Sequence, residues 1–221
     1  MANKIGSSAI TLGATVTSIA PSDPTNDDSP MIVTYTAEDG SINAREYAHI
    51  ISTVPLPSLR IMDISKCGLT PMQSTALRML QYGPSIKIGI KFKSQWWNTG
   101  VNASGKRLNI TGGSSSTDLP IRTVVYPSYG NSQQPSNVLL ASYCWTTDAE
   151  RIAALFKENE EPPYDPRLKT IVLSNLATLH DVSMDMLEYE FEEMYPWDWN
   201  RDAHTGGKEI FHISSFIMTT S

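Results

Sequence analysis

Within the stretch YGPSIKIGIKFKSQWW at 82–97, Ile86, Ile88, Ile90 and Phe92 alternate with Lys87, Gly89, Lys91 and Lys93. A period of two predicts a strand that is apolar on one face and basic on the other. Earlier in the chain, the β-branched run ITLGATVTSI at 10–19 and the run MIVTYT at 31–36 flank a polar segment, PSDPTNDDSP at 21–30, and the second run ends at EDGS, 38–41. These predict two antiparallel strands with a loose connection, the second closed by a tight turn. Tyr47 to Val54 is nearly continuously apolar and ends at Pro55 and Pro57. It predicts a strand covered on both faces.

At 70–80 the period changes. Met72, Ala76, Leu77 and Leu80 fall at helical spacing, with Thr70 as N-cap, Pro71 at the first helical position and Gln73 at the capping-box position. After a Gly/Ser-rich loop, IRTVVYP (121–127) and VLLASYCW (138–145) flank the turn residues GNSQQPSN and predict an antiparallel hairpin. Helices are predicted over 147–156, over 166–180 with Leu168, Ile171, Val172, Leu176 and Leu179 on its apolar side, and over 183–193. The pattern predicts a mixed α+β fold: a short β-meander, then a sheet flanked by helices.

Composition narrows the picture. The chain has 221 residues, a net charge of −6 and a pI near 5.2, which disfavours nucleic acid or an anionic membrane surface as partner. No apolar run approaches the ~20 residues of a membrane span, and the N-terminal stretch has no apolar signal-peptide core. Compartment is left open, with the cytoplasm as default. The two cysteines, Cys67 and Cys144, lack metal-like spacing and read as free thiols; the four histidines are scattered, so no metal site is expected.

The chain lacks GxGxxG, P-loop, GxSxG and HExxH motifs. Glu160–Glu161 and Glu192–Glu193 lie in charged stretches and read as solvated. Lys87 allows two readings. It is a solvent-facing lysine on an amphipathic strand, or, because Gly89 is its same-face neighbour, a lysine beside a flat ligand that the glycine lets approach. Most of the five tryptophans are expected to be packing residues, with a minority free to wall a pocket.

Taken together and in order, EYAHIISTVPLPSLR, LTPMQSTALRMLQYGPSIKIGIKFKSQWW, GGSSSTDLPIRTVVYP, VLLASYCWTTDAERIAAL and WDWNRDAHTGG resemble the flavin-containing amine oxidase family, most closely its L-amino-acid oxidases. The resemblance runs from about Ile10 to Gly207. It implies part of an FAD-binding domain over 1–56, a substrate domain with an antiparallel sheet over 57–195, and a segment returning toward the FAD domain over 196–221. It implies FAD as cofactor, an amine or amino acid and dioxygen as substrates, hydride transfer to the flavin, imine hydrolysis and hydrogen peroxide as product; a homodimer is one assembly it allows. Residue by residue, it assigns Lys87 a catalytic role, holding a water near the flavin. It places Val16, Ser52, Thr53 and Pro55 at the cofactor. Tyr126 binds the substrate carboxylate, and Trp145 and Trp199 lie at the substrate cavity.

The chain departs from the family pattern in lacking the GxGxxG unit and the C-terminal FAD motif, and its sequence after Gly207 is unlike the family's. An internal fragment is expected, one that holds FAD weakly, is inactive alone, and is poorly soluble or in need of a partner chain. The alternatives are a polyamine or monoamine oxidase fragment, or a non-catalytic interaction module.

Overall fold

The computed structural model describes residues 2–80, 82–128, 130–131, 134–202 and 205. The unusual tail after Gly207 lies outside them. The chain divides into two compact units, residues 1–82 with 200–221, and residues 83–199. The sequence reading had placed its divisions at 56/57 and 195/196.

The first unit opens with a short helix α1 (Ala2–Ile5) and a 3-10 turn, Ser7–Ala9, then forms a three-stranded antiparallel meander of β1 (Ala14–Pro21), β2 (Met31–Ala37) and β3 (Ile42–Tyr47). The predicted turn at 38–41 joins β2 to β3, with Gly40 at φ +81°, where only glycine sits without strain. Ala14, Val16, Ile19, Val33, Tyr35 and Met62 form the core of this unit. Met62 follows helix α2 (Leu56–Ile61), and the backbone of Asp63 bonds both Ile19 and Thr17, tying α2 to β1. Helix α3 (Pro71–Met79) begins with the predicted capping box. The Thr70 hydroxyl accepts from Gln73 N–H, and the Gln73 side chain accepts from Thr70 N–H.

One expectation fails here. The apolar run at 47–54 is not a strand beyond Tyr47; residues 48–55 form no regular element, and Ile51 is 85% exposed. A continuous apolar run signals a strand only when a neighbouring strand takes its backbone groups, and no described strand pairs with it.

The second unit is a five-stranded antiparallel sheet in the order β10-β4-β9-β6-β5, from β4 (Ser85–Phe92), β5 (Ser114–Ser116), β6 (Thr123–Val125), β9 (Val138–Trp145) and β10 (Phe191–Asp198). A two-residue ladder of β7 (Gly130–Asn131) and β8 (Gln134–Pro135) lies between β6 and β9 in sequence. Helices α4 (Trp96–Thr99), α5 (Thr147–Ala153), α6 (Pro166–His180) and α7 (Met184–Glu190) complete it. The apolar side of β4, Ile86, Ile88, Ile90 and Phe92, is fully buried in one cluster with Leu168, Val172, Leu173 and Leu176 of α6. α6 starts where Pro166 follows the N-cap Asp165, whose carboxylate accepts from Arg167 N–H at 2.9 Å. The predicted helix at 183–193 ends early: α7 stops at Glu190, and the chain turns directly into edge strand β10. Among the described residues no helix is long and apolar enough to cross a membrane.

Candidate active site

The helices cover one face of the five-stranded sheet. The other face carries Lys87. Pairing fixes its neighbours: Lys87 stands opposite Tyr143 on β9 and opposite Trp197 on β10, and Gly89 stands opposite Tyr195. The Lys87 ammonium lies 5.3 Å from the centre of the Tyr143 ring and 5.7 Å from that of Trp199. Trp145 meets Tyr143 edge-on at 5.4 Å, Trp197 meets Trp199 at 5.9 Å, and Tyr195 stacks on Trp197 at 6.0 Å. Trp145, Tyr195, Trp197 and Trp199 are each more than a third exposed. Two rings thus flank the cation, and three more extend the aromatic surface around them on an open face.

Among the described residues, the Lys87 ammonium makes no ion pair. Lys91, Lys157 and Lys169 do, with Glu192, Glu160 and Glu188. A lysine held by ring faces alone keeps its three N–H donors available for a water or a ligand. Beside it, a Cβ placed on Gly89 would meet nothing nearer than the Tyr195 carbonyl oxygen at 4.0 Å. The glycine is therefore not demanded by its own sheet, and it leaves the floor beside Lys87 flat.

Tyr126 lies elsewhere. It follows β6, is 3% exposed, and belongs to the core under the opposite face. Its hydroxyl bonds Ser115 Oγ at 2.9 Å and His180 Nε2 at 2.5 Å, while His180 Nδ1 meets the Leu176 carbonyl at 2.8 Å. A carbonyl only accepts, so Nδ1 carries the proton, Nε2 is the acceptor and Tyr126 donates to it. Burial lowers the His180 pKa, against the opposing pull of the Leu176 bond, and burial raises that of Tyr126. Burial also pushes the Cys144 thiol up to about 11, so it is a neutral packing group. The structure thus brings Lys87, Trp145 and Trp199 to one face and sets Tyr126 behind it.

The residues assigned to the cofactor lie in the first unit. Val16 is buried in its core, Ser52 and Thr53 are exposed on the irregular segment, and Pro55 is the N-cap residue of α2. The sequence reading missed Tyr143, Tyr195 and Trp197. The available signal was the alternation of Glu193, Tyr195 and Trp197 with Met194 and Pro196, which marks β10 as a strand.

A profile of the flavin containing amine oxidoreductases matches residues 1–211. The chain belongs to that family. Among curated proteins, it is similar to L-amino-acid oxidase 4 of Hebeloma cylindrosporum, at 47% identity over 95% of the chain and 33% of that protein. A putative bifunctional amine oxidase of Dictyostelium discoideum is 42% identical over 76% of the chain and 15% of its own length. The chain thus spans a third or less of the curated relatives it matches. Of solved structures, a cyclohexylamine oxidase from Brevibacterium oxydans superposes with a TM-score of 0.60 at 11% identity, over 93% of this chain and 37% of that one. A redesigned putrescine oxidase does so at 0.58 and 17%, over 93% and 38%. These two share the fold.

This family of oxidoreductases uses FAD. The Lys87 face fits the flat ring end of that cofactor: it is open, aromatic, and floored by a glycine whose Cβ position is empty.

Proposed function

We propose that this chain supplies the substrate-facing sheet of a flavin-dependent L-amino-acid oxidase, with Lys87 at the reacting centre. The observation that carries the proposal is the half-buried Lys87 ammonium, held by Tyr143 and Trp199 without a carboxylate partner among the described residues, beside the bare floor of Gly89. The amino-acid branch is favoured by the 47% identity to a protein named L-amino-acid oxidase 4.

FAD, when bound, supplies the acceptor for hydride from the amine-bearing carbon, and dioxygen takes the electrons to become hydrogen peroxide. The chain's own residues do the rest. The hydride leaves only from a neutral amine, because the nitrogen lone pair must stabilise the carbon as it loses hydride. A fixed ammonium at Lys87 raises the cost of a second cation nearby, and so favours loss of the substrate's ammonium proton. The free N–H donors of Lys87 hold a water, which suits the later hydrolysis of the imine to a 2-oxo acid and ammonia. Tyr143, Trp145 and Trp199 offer apolar ring surface for the substrate to lie against. Tyr126 is left out of carboxylate binding here, because its hydroxyl is already bonded to Ser115 and His180.

Titration of the purified chain with FAD, read by tryptophan fluorescence, tests the site. Quenching is expected, weaker in Lys87→Met and Gly89→Val. A peroxide assay on this chain completed with the GxGxxG unit and C-terminal FAD motif of the family, comparing L-amino acids with simple primary amines, tests the substrate class. No quenching at any FAD concentration overturns the site, and peroxide from amines alone overturns the amino-acid assignment.

A further inference from the structure

We propose that Tyr143 is the residue that positions Lys87. This rests on the reading of the Lys87 face as the active site. Lysine has a long, flexible side chain, and its ammonium points somewhere definite only if something holds it. Among the described residues, Lys91, Lys157 and Lys169 are each held by a carboxylate, whereas Lys87, like Lys93 over Tyr189, is held by rings alone. A carboxylate would neutralise the charge and occupy its N–H donors. A ring face holds the cation and takes neither.

Tyr143 is built into place for this. In β9, Leu139 and Ala141 are both buried, and simple alternation would turn Tyr143 into the core as well. The ladder slips here: Gly89 pairs with Leu140 and Ile88 with Ser142, so Ala141 is an extra residue on β9. This bulge reverses the parity of everything after it. Ser142 is turned inward, where its hydroxyl donates to the Ile121 carbonyl at 3.0 Å, and Tyr143 is turned onto the Lys87 face. On its far side Tyr143 pairs with Thr123 of β6, and Trp145 braces its ring edge-on. One inserted residue therefore delivers the ring to the lysine, and a second ring props it there.

Lysine-labelled chain and NMR of the side-chain resonances test this. A methylene next to an ammonium over a ring face is shifted upfield by the ring current. Lys87→Met assigns the Lys87 signal. The expected result is an upfield Lys87 signal in the wild type and in Tyr143→Phe, which keeps the ring, and in Tyr143→Leu a downfield move toward Lys91 and Lys157, which pair with carboxylates and, among the described residues, lie over no ring. Tyr143→Ile serves in place of the leucine variant if that chain does not fold. A Lys87 signal unmoved by losing the ring, or moved equally by Tyr143→Phe, overturns the proposal. FAD titration of the same samples reports separately on the active-site reading. If FAD has no effect on any of them, that reading falls, while the Lys87 resonance still decides what Tyr143 does.

Discussion

Removing one oxygen, by Tyr126→Phe, tests the polar network behind the sheet. The ring stays, so there is no cavity and the cost is polar alone. Tyr126 is 3% exposed, and its lost hydroxyl holds two hydrogen bonds, to Ser115 and to His180. Its deletion leaves the His180 Nε2 acceptor buried without a donor. Two neutral bonds and one stranded acceptor amount to about 1–3 kcal/mol. For a unit of this size about 4 °C of melting temperature goes with each kcal/mol, so a fall of roughly 4–12 °C is expected at pH 8. The pH dependence has a definite sign. Burial lowers the folded pKa of His180 from 6.5, so its contribution is full above that value and is lost as pH falls. The wild type should therefore weaken from pH 7 to pH 5.5. Tyr126→Phe should weaken less over that range, because its neutral imidazole has already lost its donor. The penalty is then larger at pH 8 than at pH 5.5. Thermal melts followed by near-ultraviolet circular dichroism, in which Trp96 reports through its 5.0 Å edge contact with His180, measure both. A variant melting within a degree of the wild type, or one penalty at both pH values, would refute the network.

Gly89→Val should leave the melting temperature level or raise it, since a β-branched residue suits a strand and the Cβ meets only the Tyr195 carbonyl at 4.0 Å, while FAD quenching is lost. Gly100→Ala should behave oppositely and cost about 1–3 kcal/mol in a denaturant melt, because its Cβ collides with the Trp96 backbone carbonyl. Thr146 joins β9 to α5 at φ 60°, ψ −140°, where a side chain is strained, so Thr146→Gly should stabilise by about 1–3 kcal/mol in the same assay.

Local signals were legible wherever one residue sets the element. The Thr70 and Gln73 box placed the start of α3, Pro166 placed that of α6, and the Ile86-to-Phe92 alternation placed β4 and its buried face. Signals that depend on a partner were not. The run at 47–54 looked like a covered strand, but covering is a property of neighbours. Strand β10 was hidden because the predicted helix over 183–193 ran into its first residues; as an edge strand it also tolerates Pro196, whose missing N–H need not join a ladder. The site divided in the same way. The place of Lys87 opposite the buried side of β4 was legible in the alternation, while its assigned role came from the family resemblance. Tyr143 was hidden by the bulge at Ala141, which the apolar text of β9 does not reveal. Tyr126 carries the family resemblance yet faces the core.

Helix α3 has no buried residue, and Met72 and Met79, seven positions apart on the same side of it, are 82% and 68% exposed. Met62 and Met194 are 6% and 2% exposed. On the proposed reading each turnover releases an oxidant into the solvent around these thioethers. Conversion to sulfoxide follows access. Peptide mapping after turnover should find the added oxygen on Met72 and Met79 before Met62 or Met194, so that α3 records how much chemistry the protein has done.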